Sequence, residues 1–406
     1  MLTDYIKKLR TYRQKKTVNI LDIPEAIFPS EETVGSEQYF DNVIVHRCVS
    51  LIASSASHVP WLVYKKQGDK KVFTDNHIAS KLLKKPNPET SGADFFTEAI
   101  SSLLLYGNSY VFLASYDGSS ASGIYNLHPQ AVEIVTESNR PTAYKHKSFG
   151  GSKLYPIDRI SRVSRILHFK NYHPSNHLYG LSSLAAAAKS INLYSKTLDW
   201  NKALLKNAVK PSGALVFQDG NGYLTDEQFE RLQQQFYDNF SGSSNSGKPL
   251  VLEGGLKWQE TNNAEKFEKF LELKDSSARD IAIAFNIPPQ LLGINGDNTY
   301  SNMQEARLAL WEENIIPLLD KIADGLSNWL SYWLKEDLLI DFDRDSISAL
   351  TERRENLWSK ITAASFMTLN EKRAFVGLEA IKGGDKIFDN NLEKQAEKDT
   401  YEKYSQ

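Results

Sequence analysis

The run Leu181 to Ala208, "LSSLAAAAKSINLYSKTLDWNKALLKNA", contains neither glycine nor proline and is closed by Pro211-Ser212-Gly213. Nothing else in the chain restricts the fold as strongly. A stretch rich in Ala, Leu and Lys with no breaker reads as one long helix. At 1.5 Å per residue such a helix reaches about 40 Å, beyond the core of a small domain, so it must lie along a partner. A partner is present: Phe267, Phe270, Leu271, Lys274, Ala278, Ile281 and Phe285 mark one stripe of a second long helix, which Ile287-Pro288-Pro289 ends. After the loop "GINGDNTY", Ser301-x-x-Gln304 reads as the cap of a third helix, with the stripe Trp311, Ile315, Leu318, Ile322, Leu326, Trp329 and Trp333. Pro317 sits inside it. A proline there removes one backbone bond, clashes with the preceding turn and costs about 3 kcal/mol, so a kink is expected.

The chain ahead of these helices has a different grain. Residues 1–39 form a basic arm, "MLTDYIKKLRTYRQKK", followed by a proline-containing segment. It lacks the apolar core and cleavage site of a secretory signal; it reads as a solvated arm, with an amphipathic helix for a partner or membrane surface as the other reading. Residues 40–180 read as an α+β unit. "NVIVHRCVSLIASSASHV" is helical, "WLVYKK" and "KVFT" flank Gln67-Gly68-Asp69 as a hairpin, and Phe95, Phe96, Ile100, Leu103 and Leu104 follow helical spacing. The runs "YVFLASY", "AVEIV", "TAYKH" and "RILHFK" are strand-like. A small segment at 211–262 carries a strand, a helix opened by Thr225-Asp-Glu-Gln228, a Gly/Ser loop and the strand "PLVLEGG". Beyond 345 two helices are expected, the second capped by Thr368-x-x-Glu371, and the tail from Glu393 is dense in Lys, Glu and Gln.

Composition excludes several classes. At 41% hydrophobic and 24% charged residues the 406-residue chain is of ordinary globular make-up. Its longest apolar runs, such as Leu184 to Ala188, fall far short of the ~20 residues a membrane span needs. The single cysteine, Cys48, lies among Val43, Ile44, Val49 and Leu51. It cannot form an intramolecular disulfide or a thiolate cluster and reads as packed core in a reducing compartment. A formal charge of −2 argues against a protein that grips nucleic acid through its global charge.

Three motifs invite a chemical reading. Gly242-Ser-Ser-Asn-Ser-Gly247-Lys248, with Asn245 at its centre, has the Gly-x4-Gly-Lys spacing of a phosphate loop. The next residue is Pro249, which offers neither a hydroxyl to Mg²⁺ nor an N–H to phosphate. The order around it is helix, loop, strand, whereas a phosphate loop needs strand, loop, helix, so it reads as an exposed loop. His173 and His177 have ligand spacing, but Pro174 lies between them and no third ligand is near. Asp341-Phe-Asp343-Arg-Asp345 lacks the glycine and distal Glu of a calcium loop and reads as a strand end running into a helix cap. No serine-hydrolase elbow, zinc-protease pair or dinucleotide turn occurs. No catalytic residue, metal or cofactor is therefore assigned.

The segments "LLLYGNSYVFL", "LYGLSSLAAAAKSI", "LLKNAVKPSGAL", "LTDEQFERLQQQF", "NSGKPLVLEGGLKW", "RDIAIAFNIPPQLLGINGDNTYSNMQEARLALWEENIIPLL" and "LNEKRAFVGL" together resemble the portal proteins of tailed phages and gene transfer agents, over residues 40 to 385. The run Ile-Pro-Pro-Gln-Leu-Leu-Gly leading to Thr-Tyr-Ser-Asn is the most specific. The resemblance implies an α+β portal-type fold: a wing at 40–180, stem helices at 181–210 and 263–286, and between them a small α/β clip at 211–262. It implies a tunnel loop at 287–300, a long kinked helix and return to the wing at 301–344, and a helical crown with the tail at 345–406. It implies a twelve-fold ring at one capsid vertex, assembled in the host cytoplasm and carried in the virion. The ring would pass double-stranded DNA without sequence specificity, and its partners would be the major capsid protein, the large terminase and the head–tail connector, with no membrane. On this reading Asn295, Gly296, Asp297, Asn298, Thr299 and Tyr300 approach the DNA. Lys196, Lys202, Lys206, Lys266, Lys269 and Lys274 include channel-facing and intersubunit residues, and Gly242, Asn245, Gly247 and Lys248 belong to the clip, with ATP hydrolysed by another protein. The alternatives are a nucleotide-binding protein using Gly242 to Lys248 and a DNA-binding adaptor acting as monomer or dimer.

Overall fold

In the computed structural model, the described residues are 36–68, 70–115, 121–148, 150–207, 213–217, single positions between 225 and 234, 256–260, 264–294, 300–376 and 378–386. At 36–38, 115, 121–122, 203–207, 213–217, 256–260, 264–269 and 300 the description covers the backbone alone. The chain divides into two units, Met1–Phe342 and Asp343–Gln406.

The first unit opens with α1 (Ser36–Asp41) and α2 (Val43–Ser57). Asn42 stands between them in extended conformation, and its Oδ1 accepts from Ile44 N at 3.0 Å and Val45 N at 3.1 Å, a cap that satisfies two orphan donors. Val45, Cys48, Val49, Ile52, Ala53 and Ala56 recur at helical spacing on the buried face. Burial pushes the Cys48 thiol up to about 12, so it is a small hydrophobe, as its neighbours implied. β1 (Trp61–Gln67) and β2 (Lys70–Phe73) are the expected hairpin. α3 (Ile78–Lys84) and α4 (Gly92–Tyr106) follow, the latter burying Phe95, Phe96, Ile100, Leu103 and Leu104.

Two further sheets come next. β3 (Asn108–Ser115) is central to one, between β4 (Ala121–Leu127) and β8 (Ile166–Lys170); β5 (Val132–Glu137), β6 (Arg140–Ser148) and β7 (Gly151–Pro156) form the other in meander order. Tyr110, Phe112, Leu127, Val132, Tyr155 and Ile166 close a core between them. β4 and β7 are additions to the strands read from the sequence.

The long helices are α5 (Ser183–Asn207) and α6 (Ala264–Ala284), and between them β9 (Gly213–Phe217) pairs antiparallel with β10 (Leu256–Glu260). The expected strand "PLVLEGG" lies outside the described residues. α7 (Tyr300–Leu310), a wide turn at Trp311–Ile315 and α8 (Ile316–Leu334) make the third helical run. The helix starts at Tyr300, so Ser301 lies within its first turn rather than ahead of it as a cap. β11 (Leu338–Phe342) then returns across the chain to pair antiparallel with β1, Val63 opposite Ile340. The indoles of Trp329 and Trp333 both donate to Ser164 O, at 2.8 and 3.2 Å, and moor α8 to the loop that enters β8.

In the second unit Asp343 accepts from Asp345 N at 3.0 Å as a turn cap. α9 (Thr351–Ala363) and α10 (Leu369–Phe375) follow. The capping box is formed: Glu371 N donates to Thr368 Oγ1 at 3.2 Å and Thr368 N to Glu371 Oε2 at 2.8 Å.

Candidate functional site: the long helix pair and the joint behind it

α5 and α6 run antiparallel. Ser190 Oγ donates to Asp280 Oδ2 at 3.4 Å, and ten residues further along α5 the Trp200 ring stacks on Phe270 with centroids 4.3 Å apart. Leu184, Ala187, Ile191, Tyr194 and Thr197 are buried on α5, and Ser277, Ala278, Ile281, Ala282 and Phe285 on α6 and its last turn. The buried Thr197 and Ser277 hydroxyls turn back to their own helices: Thr197 Oγ1 donates to Leu193 O at 2.7 Å and Ser277 Oγ to Leu273 O at 2.8 Å.

The opposite faces are what the pair offers to its surroundings. On α5, Ala185, Lys189, Asn192, Lys196 and Asp199 step by four and three residues and are all exposed. On α6, Glu272, Ser276, Arg279 and Ile283 do the same. Apart from Ala185 and the exposed Ile283, both stripes are polar and of mixed charge. Lysine and aspartate stand three apart at Lys196 and Asp199, an attractive spacing that also dilutes the positive potential.

Of the lysines singled out from sequence, Lys196 and Lys202 are exposed and Lys274 is half-buried. Lys206, Lys266 and Lys269 lie on the helices, where the backbone alone is described. Asn295, Gly296, Asp297, Asn298 and Thr299, and the loop residues Gly242, Asn245, Gly247 and Lys248, lie outside the described residues; Tyr300 opens α7. Lys189 was not among the candidates. It stands seven residues before Lys196, two turns along one face, and that spacing is the signal that finds it.

Around the phosphate-loop spacing, Thr225 N donates to Gln228 Oε1 at 3.0 Å and Gln228 N to Thr225 Oγ1 at 3.4 Å, so a helix does start upstream of the glycines. A helix stands where a phosphate loop needs a strand ahead of its glycines; residues 235–255 lie outside the described residues, and the next described element is β10. The two histidines are engaged elsewhere: His173 Nδ1 accepts from Ser175 N and Asn176 N at 3.1 and 3.0 Å, and His177 Nε2 bonds Asn139 O at 3.0 Å. Among the described residues no group of three His, Cys, Asp or Glu is placed to hold a metal, and no helix is long and apolar enough to cross a membrane.

At the end of the pair where α5 begins and α6 finishes, both helices are locked to neighbouring elements. Where the wing-like sheet meets α5, Asn108 Oδ1 accepts from Gly180 N at 2.8 Å and from His168 Nε2 at 3.0 Å, and its Nδ2 donates to Tyr106 O at 2.8 Å and Gly180 O at 3.4 Å. Gly107 (φ 71°) and Gly180 touch backbone to backbone there, with no room for a Cβ on either. Burial, reinforced by Lys170 and Lys321, holds the His168 imidazole down to about 3, so it is neutral and donates from Nε2.

Where α6 ends, Ile287 N donates to Ala282 O and Asn286 N to Ile283 O, both at 2.9 Å, with Asn286 left-handed at φ 53°. This is the Schellman arrangement, with asparagine where glycine is commonest. Behind it lies the wide turn, in which Ile316 N reaches five residues back to Trp311 O, and Pro317 is the second residue of α8. The break expected at Pro317 therefore takes the form of a π-turn immediately before it. Proline cannot bond the carbonyl of Glu313, and Asn286 Nδ2 does so instead at 3.0 Å. In return Asn314 Nδ2 donates to Phe285 O at 2.8 Å and Asn286 O at 2.9 Å, satisfying the end of α6. Each irregular end completes the other.

A family model described as phage portal protein matches residues 43–377. The chain is 56% identical over 389 residues to an uncharacterized protein of Rickettsia bellii (strain RML369-C), covering 95% of this chain and 100% of that protein. It is 23% identical over 351 residues to the portal protein of Escherichia phage T5, covering 83% of this chain and 80% of that one. Among solved structures it matches the neck of a native gene transfer agent particle computed with C12 symmetry, at TM-score 0.67 and 31% identity over 90% of this chain and 99% of that chain.

Proposed function

The chain belongs to the phage portal protein family, and from that premise we propose that it is one subunit of a closed ring at a single vertex of a phage or gene-transfer capsid. The ring is a conduit through which double-stranded DNA enters and leaves, and a platform for the terminase on one side of assembly and the head–tail connector on the other. Residues 40–180 are the wing, α5 and α6 the stem, 211–262 the clip, 287–300 the tunnel loop and 345–406 the crown. Twelve copies agree with the symmetry of the similar neck. The chain itself carries no catalytic role, and packaging ATP is hydrolysed by its partner.

The observation that carries this reading is the antiparallel pair with polar, mixed-charge outer stripes, in a chain of net charge −2. Each phosphate neutralised adds steeply to affinity for DNA. A surface on which Lys189 and Lys196 alternate with Asn192, Ala185 and Asp199 lets a duplex slide where a dense lysine array would hold it.

Light scattering of the purified protein, with the peak imaged by negative-stain electron microscopy, tests the reading. Rings with a central hole near twelve subunits are expected, formed alone or on adding capsid and scaffold protein. Chains that stay monomeric with those partners present would sink it.

A further inference from the structure

The second unit has little interior of its own. Among its described residues the only buried apolar side chains of any size are Ile347 and Ile361, while Leu357, Trp358, Phe366 and Phe375 are between 45% and 77% exposed. Two buried isoleucines do not offset the entropy of ordering two helices and the turns around them. What remains outside is apolar surface of the kind that association covers. α9 sorts that surface into two unlike shoulders. With Ile361 turned inward, helical spacing puts Trp358, Thr362, Glu355, Ser359 and Glu352 on one side of the buried line, and Leu357, Arg353 and Lys360 on the other.

The first shoulder is a shallow groove lined by Glu355, Trp358, Ser359, Thr362 and Ala363, in which the small Ser359 and Ala363 leave room beside the indole. Its wall is fixed in advance: the Arg354 guanidinium lies over the Trp358 ring, 5.5 Å from the centroid, and is held in turn by Asp345 Oδ1 at 2.5 Å. The second shoulder is a ridge. Leu357 stands out on it, with the exposed cations Arg353 and Lys360 one turn to either side. An acid-rimmed groove and a base-flanked apolar ridge are complementary in charge and shape, yet one helix cannot bring its own two sides together. A second copy brings them together. We infer that α9 is a self-association surface, the Leu357 ridge of one copy seated in the Trp358 groove of the next, with Arg353 and Lys360 facing Glu352 and Glu355. The contact is head to tail, so it repeats from copy to copy and closes only as a ring; in this it rests on the ring reading above and assigns that ring one of its seams.

Two charge reversals in the full-length chain test this. Glu352→Lys with Glu355→Lys makes both shoulders basic, and Arg353→Glu with Lys360→Glu makes both acidic. All four positions are exposed, so the fold is kept. For each variant alone, the concentration at which half of the chains are in rings, read by sedimentation velocity along a dilution series at low salt, is expected to rise about tenfold or more over wild type. Mixed in equal amounts the two are expected to return close to the wild-type value, because basic and acidic copies alternate around an even-membered ring with every seam attractive. Reversals that leave ring formation as in wild type would hand these shoulders to another polypeptide and overturn the inference while the ring stands. Variants as impaired together as apart would overturn it too, since the loss would then not come from a seam between copies. Wild-type chains that never form rings would take down the ring reading and this inference with it.

Discussion

Asn108→Ala removes the one side chain that closes the junction between β3, β8 and α5. The residue is 7% exposed and makes four hydrogen bonds. Alanine leaves Gly180 N–H and His168 Nε2–H without acceptors in a site water does not easily enter. At about 1.5 kcal/mol for each orphaned donor the loss is about 3 kcal/mol. For a unit of this size that lowers the melting temperature by about 4 °C, read by scanning calorimetry at pH 7.5; a shift below about 2 °C would refute the accounting. A second variant tests the charge state. In the wild type the folded-state pKa of His168 is depressed to about 3 from the ordinary 6.5. The neutral imidazole thus contributes stability that is present above pH 6.5 and is lost as pH falls toward 3, by at most about 1.4 kcal/mol per unit. Asn108→Asp places a carboxylate on His168 Nε2 and favours the imidazolium, raising the folded pKa. Its stability at pH 7.5 is lower than wild type for want of the Nδ2 donor, but its fall between pH 6.5 and 4 is shallower or reversed. Parallel pH slopes for the two proteins would show that Asn108 does not set the environment of His168.

Three further outcomes are expected. Gly180→Ala, whose Cβ would run into Gly107 O and Asn171 N, destabilises by more than Asn108→Ala in the same calorimeter, whereas Gly293→Ala, left-handed at φ 73° but in open space, costs about 1 kcal/mol; equal shifts would refute the steric argument. Cys48, fully buried with its thiol raised to about 12, does not react with a thiol reagent at pH 8 until the protein is unfolded, and a prompt colour change in native buffer would contradict its placement. Lys189→Glu with Lys196→Glu, both exposed, leaves the melting temperature within about 0.5 kcal/mol equivalent of wild type and ring formation intact, but lowers the DNA packaged per particle; undiminished packaging would remove this stripe from the conduit wall.

The long helices were legible because length without glycine or proline admits few other folds, and α4, α5, α6 and β1–β2 lie where periodicity put them. β4 and β7 were not. "ASGIYNL" and "GSKLYP" begin with small residues that read as turns, and they become strands because β3 and β6 offer them a partner edge. The same distinction separates Lys189 from the reciprocal amide bonds of Asn286 and Asn314. Lys189 was available by simple counting from Lys196, since residues seven apart on a helix share a face whatever the rest of the chain does. Asn286 before Ile287-Pro288-Pro289 is visible as a left-handed helix end, and Pro317 is visible as a break. That the amide of one residue answers the missing N–H of the other, across 27 positions in the case of Asn286 and Glu313, has no period and no local composition. An amide in an exposed loop and an amide capping a π-turn are the same letter; the difference is the carbonyl it finds once α6 and α8 are already packed. Sequence periodicity therefore reports the elements that build the conduit, while the bonds that set the angle between those elements become readable only from the assembled joint.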